Sequence, residues 1–107
     1  MRDDEFRQEA ERALERLYQA LVRASEEHDF EVDYGETITV EFPSSSTKFV
    51  ISPNAAVKQI WVSANARSYK CEWNDEVKAF VFPDTGKTLE QLVAERISEQ
   101  LKAEIIL

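Results

Sequence analysis

The sequence predicts an α+β fold: a two-layer sandwich with N- and C-terminal helices packed on one face of a single antiparallel sheet of five to six strands. Three observations carry this. Apolar residues recur at helical spacing at both ends of the chain and at alternate positions between them. The alternating runs are joined by turns short enough for hairpins. Finally, 107 residues with 43% apolar content fill one core and leave no material for a second covering layer. One domain, residues 1–107, is therefore expected, with one sheet face open.

The first helix runs from Asp3 to about Ser25, with Phe6, Ala10, Leu14, Leu17, Leu21 and Ala24 as its apolar stripe and Asp3 or Asp4 available as N-cap. Its outer side mixes Glu9, Glu11 and Glu15 with Arg7, Arg12, Arg16 and Arg23, a pattern that reads as a solvated, ion-paired face. At Phe30-Glu31-Val32-Asp33-Tyr34 the period changes to two and strands begin. Further strands are expected at Thr37–Phe42, Lys48–Ser52, Gln59–Ser63, Ser68–Trp73 and Ala79–Phe82. They are separated by Gly35-Glu36, Pro43 to Ser46, Pro53-Asn54, Asn74 to Glu76 and Pro83 to Gly86. Thr88-Leu89-Glu90-Gln91 is a capping box that opens the second helix, whose stripe is Leu89, Leu92, Val93, Ile97 and Leu101. The apolar tail Ile105-Ile106-Leu107 is expected to fold back into the groove between the helices.

Charge narrows the function classes. Asp plus Glu number 21 against 13 Lys plus Arg, a net charge of −8, which argues against nucleic acid and for basic proteins or cations as partners. Residues 25–36 carry Glu26, Glu27, Asp29, Glu31, Asp33 and Glu36 with no Lys or Arg, whereas 43–71 carry Lys48, Lys58, Arg67 and Lys70 with no acid. The lone Cys71 excludes an internal disulfide and reads as a small buried hydrophobe. No membrane-length apolar run and no signal h-region occur, so a cytoplasmic protein is expected. There is no Ser/His/Asp arrangement and no Gly-rich phosphate loop.

Two candidate sites remain. In Lys58-Gln59-Ile60-Trp61-Val62-Ser63, strand alternation gives Ile60 and Val62 to the core and turns Gln59, Trp61 and Ser63 to the other face. A tryptophan displayed there, beside Lys58 and Gln59 and with Lys70 on a neighbouring strand, reads as a protein-binding patch. The second candidate is the acid run. Glu26, Glu27, Asp29, Glu31 and Asp33 offer hard oxygen donors suited to a loosely held, hydrated divalent cation, with His28 as an accessory ligand.

Lys58-Gln59-Ile60-Trp61-Val62-Ser63 also resembles the central signature strand of the frataxins. Asp33-Tyr34-Gly35, Thr37-Ile38-Thr39-Val40 and Phe49-Val50-Ile51-Ser52-Pro53-Asn54 resemble the family's first three strands. Tyr69-Lys70-Cys71-Glu72-Trp73, Phe80-Val81-Phe82, Asp84-Thr85-Gly86 and Leu89-Glu90-Gln91-Leu92 resemble its later strands and closing helix. The match spans nearly the whole chain and is similar to the bacterial, CyaY-like members. It implies a frataxin-like sandwich and a role in iron–sulfur cluster assembly, as iron donor or as regulator of the cysteine desulfurase–scaffold complex. It also implies weak binding of Fe²⁺ or Fe³⁺ and other divalent cations on an acidic ridge, and a monomer able to oligomerise with iron. In the family that ridge begins on the C-terminal half of the first helix, where Gln19, Ala20 and Arg23 stand in this chain.

Two other readings are open: a protein-binding module that works through the Trp61 face with incidental metal binding, and a ferroxidase. The latter needs paired carboxylates bridging two irons, and the sequence assigns none. A non-enzymatic role is the better expectation.

Overall fold

Helix α1, Asp3–Ser25, buries Phe6, Ala10, Leu14, Leu17, Ala20 and Leu21 on one stripe. The computed structural model describes residues 1–107. Arg2, not Asp3 or Asp4, occupies the N-cap. Its backbone N–H donates to the Glu5 carboxylate, 3.2 Å away, and both aspartates fall in the first turn, where their charge complements the helix dipole.

Seven strands follow in one antiparallel sheet whose order is the chain order: β1 Glu31–Tyr34, β2 Ile38–Phe42, β3 Thr47–Asn54, β4 Gln59–Ala64, β5 Arg67–Asn74, β6 Ala79–Phe82 and β7 Lys87–Thr88. The count exceeds the five to six expected because the Pro83–Gly86 turn closes a hairpin. Gly86, at φ +76°, donates its N–H to the Phe82 carbonyl at 2.8 Å, and Lys87 and Thr88 then pair with Phe82 and Val81. Two residues carry no readable alternation, so β7 is hidden from sequence inspection. Helix α2, Leu89–Leu101, starts at the capping box as expected, with the Gln91 N–H donating to the Thr88 hydroxyl at 3.2 Å.

The core lies between the helices and one face of the sheet. Ile38, Val40, Phe42, Phe49, Ile51, Ile60, Val62, Ala64, Tyr69 and Cys71 point into it from successive strands. Edge-to-face aromatic contacts lock the layers: the Phe6 and Phe80 rings are 5.8 Å apart and join α1 to β6, while Trp73 meets Phe80 at 5.2 Å. Phe30 is buried just ahead of β1. Neither helix is long and apolar enough to cross a membrane.

Beyond α2 the chain reverses at Lys102, which adopts a left-handed conformation at φ 55°. Ser98 then holds the tail: its hydroxyl donates to the Ala94 carbonyl at 2.7 Å and accepts the Ile105 N–H at 3.0 Å. Ile105 is buried in the core cluster and Leu107 is half-buried against it, but Ile106 is 80% exposed. The tail does fold back, yet not with all three side chains inward. An extended segment alternates its side chains, and Ile106 takes the outward position.

Candidate functional site: the open sheet face and its acidic edge

No helix covers the second face of the sheet. Across it the outward positions align, by strand register, as Ser52, Trp61 and Lys70 in one row and Asp33, Thr39, Val50, Ser63 and Ser68 in the next. Alternation in β4 accounts for the placement. Ile60 and Val62 are fully buried on the helix side, so Trp61 must face outward, where it is half-buried among its neighbours.

The indole is fixed by its surroundings. Its Nε1–H donates to Gln59 Oε1 at 2.8 Å, and Gln59 Nε2 donates in turn to Glu72 Oε2 at 3.0 Å. Lys70 Nζ stands 5.1 Å from the ring centroid, within cation–π range. With one polar edge satisfied and one cation on its face, the ring is preorganised as a flat apolar platform. Ser63 and Lys70 are exposed beside it. Lys58 belongs elsewhere: it closes the β3–β4 turn at φ 55°, and its ammonium pairs with Asp3 Oδ1 at 3.0 Å, tying the turn to the start of α1.

The acid run occupies the flank next to this face. Glu26, Glu27 and Asp29 are exposed where the chain leaves α1, His28 is half-buried, and Glu31 and Asp33 project from β1, the edge strand. The Asp29 carboxylate accepts a hydrogen bond from the Ser44 hydroxyl, which anchors the helix exit to the β2–β3 turn. Glu31 lies directly across from Glu41, and Glu41 lies across from Lys48. The strands thus supply one carboxylate pair that inspection of separate segments does not reveal. No three His, Cys, Asp or Glu side chains converge as a preformed metal site.

The structure also redraws the helix side of this edge. Ala20 is only 6% exposed and packs inward, so it is a core position and not part of any ridge. Gln19 is exposed and donates to the Glu15 carboxylate at 3.0 Å, and Arg23 is exposed in the last turn. The acids of α1 that approach β1 are Glu11 and Glu15. Tyr34 packs on Tyr18, with ring centroids 5.3 Å apart. Burial raises its phenol pKa above the ordinary value, and the charges of Glu15 and Glu11 raise it further. Arg12 pairs with Glu9 at 3.0 Å, as expected of a solvated face, but neither Glu11 nor Glu15 is in an ion pair. Their i, i+4 spacing was readable, but the side of the helix that meets β1 was not, because the apolar stripe does not say which edge strand lies beside it.

Cys71 is fully buried, and that burial pushes its thiol pKa up to about 12, so it remains a neutral hydrophobe.

Comparison with known proteins agrees with this architecture. A Frataxin-like domain model matches residues 1–103. The chain is 35% identical over 74 residues to the iron-sulfur cluster assembly protein CyaY of Dechloromonas aromatica (strain RCB), covering 69% of this chain and 70% of that protein. It is 26% identical over 108 residues to the CyaY of Ralstonia nicotianae (strain ATCC BAA-1114 / GMI1000), covering 98% and 93%. Among solved structures, the frataxin from Psychromonas ingrahamii superposes with a TM-score of 0.77 at 24% identity, covering 99% of this chain and 97% of that one, a likeness of fold.

Proposed function

Because the chain belongs to the frataxin-like family, we propose that it acts in iron–sulfur cluster assembly as an iron-binding regulator of the cysteine desulfurase–scaffold complex. The observation that carries this reading is the Trp61 platform. A half-buried indole, hydrogen-bonded to Gln59 and faced by Lys70, sits on a sheet surface that no element of this chain covers. An aromatic anchor of this kind, next to polar groups, suits a protein partner better than it suits a small substrate. The acidic edge from Glu26 to Asp33, extended by Glu11 and Glu15, supplies a negative field that would speed encounter with a basic partner.

Iron enters this reading as cargo. The donors are carboxylates with no thiolate among them, and no three converge, so they fit a hydrated ion held by accumulated charge and not a chelated one. The same dispersed geometry favours a second reading, in which partner binding through Trp61 is the function and metal binding is incidental.

Cluster assembly reconstituted with a purified cysteine desulfurase and scaffold tests the first reading. Wild-type chain should change the assembly rate, Trp61→Ala should abolish the change, and Fe²⁺ should modulate it. Indifference of the rate to the wild-type chain would refute the proposal, and a response that ignores iron would favour the second reading.

A further inference from the structure

About 22 Å along α1 from the helix exit, at 1.5 Å per residue from Glu26 back to Glu11, a groove of ≈ 560 Å³ opens on the same flank of the molecule. It lies between the first turns of α1, the Tyr34–Gly35–Glu36 bend that follows β1, and the β3–β4 turn. Its floor is apolar, formed by Phe6, Ala10, Leu14, Pro53 and Ala55. Phe6, Ala10 and Leu14 are only 2–3% exposed and close the bottom of the groove, so the apolar surface open to an occupant comes chiefly from Pro53, Ala55 and Ala56.

The rim is acidic. Glu11 and Glu36 line it and take part in none of the chain's ion pairs. Asp3, also at the rim, is already paired with Lys58, and Arg7 is the one lining residue of positive charge. Tyr34 at the groove wall ionises less readily than an ordinary phenol, first because it is buried and further because Glu15 and Glu11 lie near it.

We propose that this groove receives a basic segment of a partner protein, with one aliphatic or aromatic side chain seated on the apolar floor and flanking Lys or Arg residues paired with Glu11 and Glu36. The rim charge fits a cationic occupant, and the floor fits an apolar anchor. A second copy of this chain does not fit. Its net charge is −8, so two copies repel each other and neither brings a net cationic surface to the acidic rim. The groove continues the acidic edge assigned above to the assembly machinery, and the identity of the partner, though not its chemistry, rests on that reading.

The test uses the full ¹⁵N-labelled chain and the capped pentapeptide Lys-Lys-Trp-Lys-Lys. Amides of Gly35, Glu36, Ala55 and Ala56 should shift on titration. A peptide with Ser in place of Trp should bind at least tenfold more weakly, and one with Glu in place of Lys should give no shift. Ala55→Trp, which fills the groove from an exposed turn, and the double variant E11K/E36K should each abolish the groove shifts while the rest of the spectrum stays folded. E26K/D29K should leave them intact. If the Ser-centred peptide binds as well as the Trp-centred one, or the shifts are confined to residues 26–33, the acids attract any polycation and the inference fails. A chain that binds the peptide in the groove but ignores the desulfurase–scaffold complex would defeat the function proposed above and leave this inference standing. The converse would defeat this inference alone.

Discussion

Lys70 and Trp61 are register partners on β5 and β4, and the lysine ammonium lies 5.1 Å from the indole centroid on the sheet face away from the helices. Ile60, one residue earlier in β4, points the other way into a fully buried site. Adjacent residues of one strand therefore have separable jobs.

Ile60→Ala should leave a cavity and cost about 2–5 kcal/mol of stability. Trp61→Ala should cost about 1 kcal/mol, the scale of one cation–π contact and one hydrogen bond at a half-exposed site. It should nevertheless weaken binding to the desulfurase–scaffold complex by about 2 kcal/mol or more, chiefly by shortening the lifetime of the complex. Urea melts and surface-plasmon kinetics on the two variants check this. Equal destabilisation by both would contradict the outward placement of the ring. A folded Trp61→Ala protein with unaltered binding would put the interface elsewhere.

On the acidic edge, Fe²⁺ added anaerobically should perturb the amides of Glu26, Glu27, Asp29, Glu31 and Asp33 with micromolar or weaker affinity, because dispersed carboxylates hold a hydrated ion loosely. The affinity should fall steeply with salt. E31K/D33K should slow association with a basic partner and flatten its salt dependence. Perturbations centred on His28 or Cys71, with the carboxylates silent, would sink the assignment.

Most of the architecture was legible because period-two alternation from Phe30 to Phe82 and the Thr88 capping box are local signals. What was missed depends on tertiary placement. Ala20 stands where the family that the chain resembles carries its ridge, yet its side chain packs inward beside the stripe of Phe6, Leu17 and Leu21, a placement that depends on how α1 is rotated on the sheet. Lys58 reads as part of the tryptophan strand, but a left-handed turn swings it toward Asp3. The Glu31–Glu41 pairing emerges only when the β1–β2 register is known.

The tail makes a graded prediction. Ile105 is 4% exposed and Ile106 is 80% exposed, so deleting residues 105–107 should cost mainly the burial of Ile105 and part of Leu107, about 2–3 kcal/mol. The melting temperature should fall by several degrees. Ile106→Ser should change little, and Ser98→Ala, which removes the acceptor for the Ile105 N–H, should reproduce part of the loss. An unchanged melt after the deletion would show that the tail does not hold the core.

Cys71 gives a pH signature. Its thiol is raised from 9.0 to about 12 by burial, so the folded chain holds a proton that the unfolded chain releases. The associated stability is fully present below pH 9 and is lost as pH rises from there toward 12. At pH 8 the native protein should resist thiol-modifying disulfides, with a modification rate that tracks global unfolding in urea. Rapid labelling in the absence of denaturant would mean that the site opens locally.

Backbone strain in the hairpins yields the last prediction. The β2–β3, β3–β4, β5–β6 and β6–β7 connections are all four residues long. Each ends in a left-handed residue: Ser46 at φ 57°, Lys58 at 55°, Lys78 at 55° and Gly86 at 76°. The β4–β5 turn is shorter and has both its residues, Asn65 at φ 51° and Ala66 at 63°, in the same region. Only one of these six positions carries glycine, and for a residue with a Cβ this conformation costs about 1–2 kcal/mol. Asn tolerates it through local hydrogen bonding, but Ala has no such compensation. Ala66→Gly should therefore stabilise the fold by up to about 1 kcal/mol, the relief of strain being partly offset by the greater freedom of glycine in the unfolded chain. Ser46→Gly should act in the same direction. Lys58→Gly should gain less or nothing, since it also removes the ion pair to Asp3. Gly86→Ala should destabilise: its added Cβ meets no atom within 4 Å, so the cost comes from the backbone conformation and not from a clash. Denaturant midpoints for these four variants, with the m-value held constant, check the ordering. If Ala66→Gly lowers the midpoint, the β4–β5 turn is not strained at that residue.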